Sequence, residues 1–331
     1  GVVGPETFGI MEPFLRGYGV YTIRPGDTLY KVSMNFGVSV NRILTANPGI
    51  NPLDLQIGQR IIVPYSMGVV DTKIDYTYGI MKRDIESLGT LFPFIETGVA
   101  GKSVLGKNLY YLKLGTGTNR VFYNAAHHAL EWITSPLLMK FIENVGIAYS
   151  DNAFIRGYNI RQLLSRSTIY IMPMVNPDGV DLVLNGLQKD NPYYNELIQW
   201  NTTGRPFSQV WQANIRGVDL NHNYDAAWNL SLEAAMNMGI TGPGPTRYPG
   251  LEPFSEIETQ TVRDFTLRVN PRLVLAYHSQ GEVIYWNFLD LAPPESIPIG
   301  RVLARVSGYT LAETVGIAST GGYKDWFIQE Y

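Results

Sequence analysis

From about Asp75 onward, helix-patterned stretches alternate with short β-rich runs, and this alternation restricts the fold more than any other feature of the chain. The segment from Tyr78 to Leu91 has helical spacing. Leu109-Tyr-Tyr-Leu-Lys-Leu, Arg120-Val-Phe-Tyr, Ser167-Thr-Ile-Tyr-Ile-Met and Arg272-Leu-Val-Leu-Ala-Tyr read as strands. Such alternation predicts an α/β sheet covered by helices, with functional residues gathered at strand ends. At 331 residues and 45% hydrophobic, the chain is long enough for one large domain and a smaller one.

The smaller unit lies at about 20–65. It begins with Val20-Tyr21-Thr22-Ile23 and turns at Pro25-Gly26-Asp27-Thr28. Two helical stretches follow, with Asp27 or Thr28 available to cap the first and Ser39 the second. Leu29, Val32 and Phe36 give the first its apolar face, and Val40, Ile43 and Leu44 the second, which ends near Asn47-Pro48-Gly49. Gly58-Gln-Arg-Ile-Ile-Val-Pro64 reads as a closing strand, so the unit is β-α-α-β. Residues 1–19 read as a strap or the remnant of a preceding module, 66–75 as a linker, and 76–331 as the large domain.

A net charge of −3 with 17% charged residues offers no basic surplus for phosphates or anionic lipid, which argues against nucleic acid as a partner. No apolar run approaches the ~20 residues needed to span a bilayer, and no signal peptide is visible at Gly1-Val2-Val3-Gly4. Cysteine is absent, so any metal must be held by His, Asp or Glu.

The four histidines are His127, His128, His222 and His278. His128-Ala-Leu-Glu131 contains His-x-x-Glu, which on a helical turn puts both side chains on one face, within reach of a single ion. Alone, this spacing is more often a capped helix with a surface ion pair or a satisfied histidine. His278, at the end of the apolar run Leu273–Tyr277, supplies a third donor. Two histidines and one carboxylate with a fourth position open make a catalytic zinc set rather than a structural one. Asp219 is the expected carboxylate partner orienting His128, with a turn cap as its alternative role.

Tyr21-Thr-Ile-Arg-Pro-Gly-Asp-Thr-Leu-Tyr, Ile43-Leu-Thr-Ala-Asn-Pro and Leu55-Gln-Ile-Gly-Gln-Arg-Ile-Ile-Val-Pro resemble the LysM family. That resemblance implies binding of N-acetylglucosamine-containing peptidoglycan glycan through Gly26, Asp27, Thr28 and Leu29 on one loop and Asn47, Pro48, Gly49 and Ile50 on the other. Farther on, His128-Ala-Leu-Glu-Trp-Ile-Thr, Asn176-Pro-Asp-Gly, Gly217-Val-Asp-Leu-Asn, Tyr277-His-Ser and Gly321-Gly-x-x-Asp325-Trp326 follow the order of the zinc carboxypeptidase (funnelin) family. This resemblance implies one Zn2+ and a mixed sheet of about eight strands between helices.

Departures from that family shape the expected activity. His222 stands where digestive members have the arginine that grips a C-terminal carboxylate. Gln212 aligns with the oxyanion-stabilising arginine, with Arg216 as a substitute; Asn221 and Tyr323 complete the expected substrate contacts, and the substrate-capping tyrosine aligns with Ile317. The family's basic glutamate is expected beyond Tyr331, which implies a truncated or processed chain; Glu330 fits a solvated helix face better than a base. A LysM module ahead of Asp219-Leu-Asn-His-Asn-Tyr224 is similar to the γ-D-glutamyl-diaminopimelate endopeptidases, which cut peptidoglycan stem peptides. The expected setting is the cell wall or spore, with the cytoplasm as the alternative. Two other activities stay open: a carboxypeptidase of ordinary C-termini, and a non-catalytic wall-binding protein with a vestigial zinc site.

Overall fold

The computed structural model describes residues 4–313 and 319–331. Helix α1 (Pro5–Arg16) occupies the segment read as a strap and ends at Gly17. There follow β1 (Tyr18–Thr22), α2 (Leu29–Phe36), α3 (Val40–Ala46) and β2 (Arg60–Pro64), with β1 antiparallel to β2 from Tyr18↔Pro64 to Thr22↔Arg60. Thr28 and Ser39 cap α2 and α3 by accepting the Lys31 and Arg42 N–H groups, each at 3.1 Å. Ile23, Leu29, Val32, Ile43, Ile61 and Val63 form the core between them.

Asn47 ties that core shut. Its amide donates to the Ile43 and Ile62 carbonyls at 2.8 and 2.7 Å, and its Oδ1 accepts the Ile62 N–H at 2.8 Å. Asn47→Ala leaves those backbone groups without partners, which is expected to weaken the unit by about 1–3 kcal/mol. Hydrogen exchange at the Ile61 to Val63 amides of the intact chain measures this, and unchanged protection would contradict it.

The large domain begins with α4 (Tyr78–Leu91), β3 (Glu96–Lys102), β4 (Asn108–Leu114) and β5 (Asn119–Ala125). After α5 (Thr134–Ser150), a short hairpin of β6 (Phe154–Ile155) and β7 (Tyr158–Asn159) leads to α6 (Ile160–Arg166) and β8 (Ser167–Met172). Helices α7 (Pro177–Asn185), α8 (Tyr194–Trp200), α9 (Phe207–Val210), α10 (Trp228–Asn237) and α11 (Ile257–Val269) precede β9 (Leu273–Tyr277). Then come β10 (Val283–Tyr285), α12 (Ser296–Ser307), β11 (Thr310–Ala312) and α13 (Tyr323–Glu330).

The central sheet runs β3-β4-β8-β5-β9, antiparallel across its first three strands and parallel across β8, β5 and β9. Helices α4 and α5 cover one face through Leu88, Leu138 and Ile142 against Leu112 and Ile171. Helices α11 and α13 cover the other through Val262, Phe265 and Trp326 against Leu109 and Phe122. The domain is therefore the mixed α/β fold expected, but its sheet has five strands among the described residues rather than about eight. The three-residue strands β10 and β11 spend their ladder hydrogen bonds on each other as a separate parallel pair, so they add nothing to the β9 edge. Among the described residues, no helix is long and apolar enough to cross a membrane.

Candidate metal centre and substrate cleft

Strands β5 and β9 are parallel neighbours paired from Val121↔Leu273 to Ala125↔Tyr277, so their C-terminal ends open at one place. The chain leaves β5 through Ala126, held at φ 53°, and His128 then starts a single helical turn of 3-10 form, Ala129–Glu131. Thr134 clamps this turn: its hydroxyl accepts the Ala126 N–H at 3.0 Å and donates to the Glu131 carbonyl at 2.7 Å. His278 follows β9 directly. Both imidazoles turn Nδ1 towards one carboxylate oxygen, Glu131 Oε2, at 3.1 Å from His128 and 2.6 Å from His278. Ligand atoms of all three residues lie within 4.8 Å of one another.

The far nitrogen of His128, Nε2, is 3.1 Å from Asp219 Oδ1. Asp219 is itself fixed, because Oδ2 accepts the Arg247 N–H at 2.8 Å and the Thr246 hydroxyl at 3.3 Å, while Oδ1 accepts the Asn221 N–H at 3.2 Å. With Nε2–H given to Asp219, Nδ1 is the nitrogen that would ligate a metal, in exchange for the proton it shares with Glu131. Burial disfavours charge on His128, yet Asp219 and Glu131 outweigh it and lift its pKa to about 10. Burial also works against charge on Glu131, and His128 and His278 reverse this, holding the carboxyl well below the usual range. Two imidazole nitrogens and one anionic oxygen on rigid strand ends, one imidazole backed by a carboxylate, fit a zinc ion.

Replacing Asp219 by Asn keeps a hydrogen-bond acceptor but removes the charge behind His128. Zinc affinity is expected to fall by about 10–100-fold. Competition with a chelator reads the change directly, and wild-type affinity in Asp219→Asn would show that Asp219 does not orient the ligand.

The other expected site residues are placed unevenly. His127, to which the sequence assigns no role, is completely buried, with Nε2 2.9 Å from the Tyr224 hydroxyl, and burial keeps it neutral. Gln212 borders the metal loop, its carbonyl accepting the Ala129 N–H at 3.0 Å and its Oε1 the Thr246 hydroxyl at 2.8 Å. The Arg216 side chain is 42% exposed, with Nε 3.7 Å from Glu256. Asn221 Oδ1 accepts the Tyr323 N–H at 3.1 Å. His222 Nδ1 lies 3.2 Å from the Ser231 hydroxyl, and burial lowers its pKa, so it is a neutral imidazole at neutral pH.

Tyr323 is a correction. It is fully buried and its hydroxyl meets Thr266 Oγ1 at 2.9 Å, because the first turn of α13 points it into the core beneath Phe122 rather than at the cleft. Ile317 lies outside the described residues. Glu330 is exposed near the end of α13.

In the small unit, Gly26, Thr28, Pro48 and Gly49 are exposed and Ile50 is half-buried. Asp27 is engaged locally, accepting the Tyr21 hydroxyl and the Arg24 N–H, each at 2.8 Å. The side chain of Leu29 is 3% exposed, a second correction, since the first turn of α2 commits it to the core. Leu53 and Ile57, 95% and 70% exposed, lie in the turn-rich segment before β2.

Two asparagines that pin the loop around Asp219 were missed. Asn214 donates to Glu256 at 2.7 Å and to Glu258 at 3.3 Å while its Oδ1 accepts the Arg216 and Val218 N–H groups. Asn223 donates to the Pro249 carbonyl at 2.7 Å and accepts the Glu256 N–H at 3.1 Å. Asn223 falls inside the Asp219–Tyr224 motif, but the partners of both residues lie far along the chain, so the sequence alone does not give their pinning role.

Known proteins agree with this architecture. A zinc carboxypeptidase family model matches residues 81–329, and a LysM domain model matches 21–64. Gamma-D-glutamyl-L-diamino acid endopeptidase 1 of Lysinibacillus sphaericus is 41% identical, over 93% of this chain and 89% of its own. Carboxypeptidase B of Bos taurus is 26% identical over 69% of this chain and 50% of its own. The crystal structure of carboxypeptidase A from Helicoverpa armigera superposes with a TM-score of 0.57 at 19% identity, covering 99% of this chain and 84% of that one, which shows the shared fold. The chain belongs to the zinc carboxypeptidase family and is a zinc metallopeptidase carrying a LysM domain ahead of its α/β fold.

Proposed function

We propose that this chain hydrolyses the γ-D-glutamyl-diaminopimelate bond of peptidoglycan stem peptides at one Zn2+ held by His128, Glu131 and His278, while the LysM domain binds the glycan. The observation that carries this reading is His222. A neutral imidazole hydrogen-bonded to Ser231 has no charge with which to grip the carboxylate of an ordinary C-terminus. The name of the Lysinibacillus sphaericus relative supports the γ-D-glutamyl specificity.

Bound zinc would supply Lewis-acid polarisation of the scissile carbonyl and a nucleophile at neutral pH. Asp219 holds His128 in the ligating tautomer. Gln212, fixed beside the metal loop by Thr246, offers an amide donor to developing negative charge; Arg216 and Asn221 are the further substrate contacts in this reading. Gly26, Asp27, Thr28, Asn47, Pro48, Gly49 and Ile50 form the glycan loops in this reading. The proposed substrate supports a setting at the cell wall or spore, with imported wall fragments in the cytoplasm as the alternative.

Incubation of the full-length protein with L-Ala-γ-D-Glu-diaminopimelate should release L-Ala-D-Glu only when zinc is present. Faster cleavage of a blocked dipeptide with an ordinary C-terminus would favour a carboxypeptidase instead. Protein that pellets with peptidoglycan but binds no stoichiometric zinc would favour a non-catalytic binder.

A further inference from the structure

The segment read as a linker does not hang free. Val69 and Val70 are buried, and together with Ala46 of α3 they belong to the same apolar cluster as α4 and α5. Tyr18 of β1 and Ile62 of β2 pack against that cluster. Helix α3 lies against both α4 and α5. The small domain and the peptidase thus share one core.

Polar contacts fix the angle between them. The Ser39 hydroxyl at the start of α3 donates to Asp151 at the end of α5. The half-buried Arg42 faces the carboxylates of Asp151 and Glu143. Glu143, 1% exposed, accepts the Val69 N–H at 2.5 Å, and Lys140 bridges Glu143 Oε2 at 2.6 Å and the Val70 carbonyl at 3.2 Å. Gly68 makes the approach possible: it sits at φ 79°, and a Cβ there would stand 2.6 Å from Glu143 Oε1. Domains joined by small polar contacts move relative to one another by default, whereas a shared apolar core with buried charge pairing holds a single orientation.

A flexible tether lets a catalytic site sample many positions around its anchor, whereas a rigid one helps only substrates whose two recognition points match the fixed offset. We infer that docking of the LysM domain on α4 and α5 is a specificity determinant, selecting stem peptides still attached to a glycan strand over free peptides. Ser39, Arg42, Glu143 and Asp151 act here as positioning residues through the domain interface. The inference rests on the proposed γ-D-glutamyl activity and adds which form of that substrate is preferred.

Asp151→Lys sets a cation against Arg42 and removes the acceptor of Ser39, while Asp151→Asn keeps the acceptor and serves as the conservative control. Three quantities are read on the zinc-loaded full chain: the rate on polymeric peptidoglycan, the rate on free L-Ala-γ-D-Glu-diaminopimelate, and pelleting with peptidoglycan. The expected result for Asp151→Lys is a fall of about tenfold or more on the polymer, with free-peptide rate and pelleting unchanged. Asp151→Asn should remain near wild type. A flexible Gly-Ser insertion between the exposed residues Ser66 and Met67 should reproduce the loss without touching the interface charges. Wild-type rates on the polymer in both Asp151→Lys and the insertion variant would overturn the inference. If the unaltered full-length protein cleaves neither substrate, the proposed activity fails, and this inference fails with it.

Discussion

Replacing Glu131 by Gln is expected to abolish stoichiometric zinc binding and to lower hydrolysis by at least about 1000-fold, or about 4 kcal/mol of transition-state stabilisation. The glutamine is nearly isosteric, so the turn should keep its shape: the clamp from Thr134 engages the Glu131 carbonyl and the Ala126 amide, neither of which changes. What changes is charge. Glu131 Oε2 is the single atom that both His128 and His278 address, and an amide oxygen there is neutral. Loss of an outer carboxylate such as Asp219 costs about 10–100-fold, so loss of the anionic ligand itself must cost more. Metal analysis, rate and thermal midpoint should be measured together. A variant that holds one zinc per chain and cleaves at the wild-type rate would remove Glu131 from the ligand set.

The convergence of His128, Glu131 and His278 was legible in the sequence because its geometry is encoded locally. His128 and Glu131 lie three residues apart just past one strand, His278 ends another, and parallel pairing of β5 with β9 brings the two ends together. The sequence could not distinguish a 3-10 turn from an α-helical one, since both put residues three apart on one side. Strand β3 was not legible because its glycines interrupt the β pattern. A Cβ on Gly98 would lie 2.5 Å from the Tyr111 ring and one on Gly101 2.3 Å from Thr261 Oγ1, so packing rather than propensity selects them.

Leu29 and Tyr323 failed as contact residues for a related reason. Each lies in the first turn of a helix beside a recognised motif, yet the helix orientation turns it to the core. Only the tertiary arrangement decides which side of a turn meets solvent. Likewise Asn214 reaches Glu256 and Glu258, more than 40 residues downstream, so the pinning of the Asp219 loop appears only after folding.

That buried network predicts a pH dependence of stability outside the metal site. Glu258 is fully buried; its Oε1 accepts the Val104 N–H at 3.0 Å and its Oε2 the Asn214 amide at 3.3 Å. Burial raises its pKa from 4.5 to about 7; the Val104 N–H opposes the rise, and the nearby Asp178 and Glu256 carboxylates add to it. Between those two values the folded chain keeps a proton that the unfolded chain has released. Stability therefore falls as pH rises through this window, by about 3 kcal/mol at about 1.4 kcal/mol per unit. Asp84, raised by burial from 3.8 to about 6 despite Arg83 and Tyr76, contributes a fall of the same sign. Glu258→Gln removes only the Glu258 part. Its amide faces the Asn214 donor at every pH, so the resulting mismatch shifts the whole curve without changing its slope. Urea unfolding at pH 5 and pH 8 should show the wild type losing about 2–3 kcal/mol more than the variant across that interval. Groups common to both chains, the metal ligands included, cancel in this difference, so parallel curves would mean that Glu258 ionises in the folded chain as it does in the unfolded one.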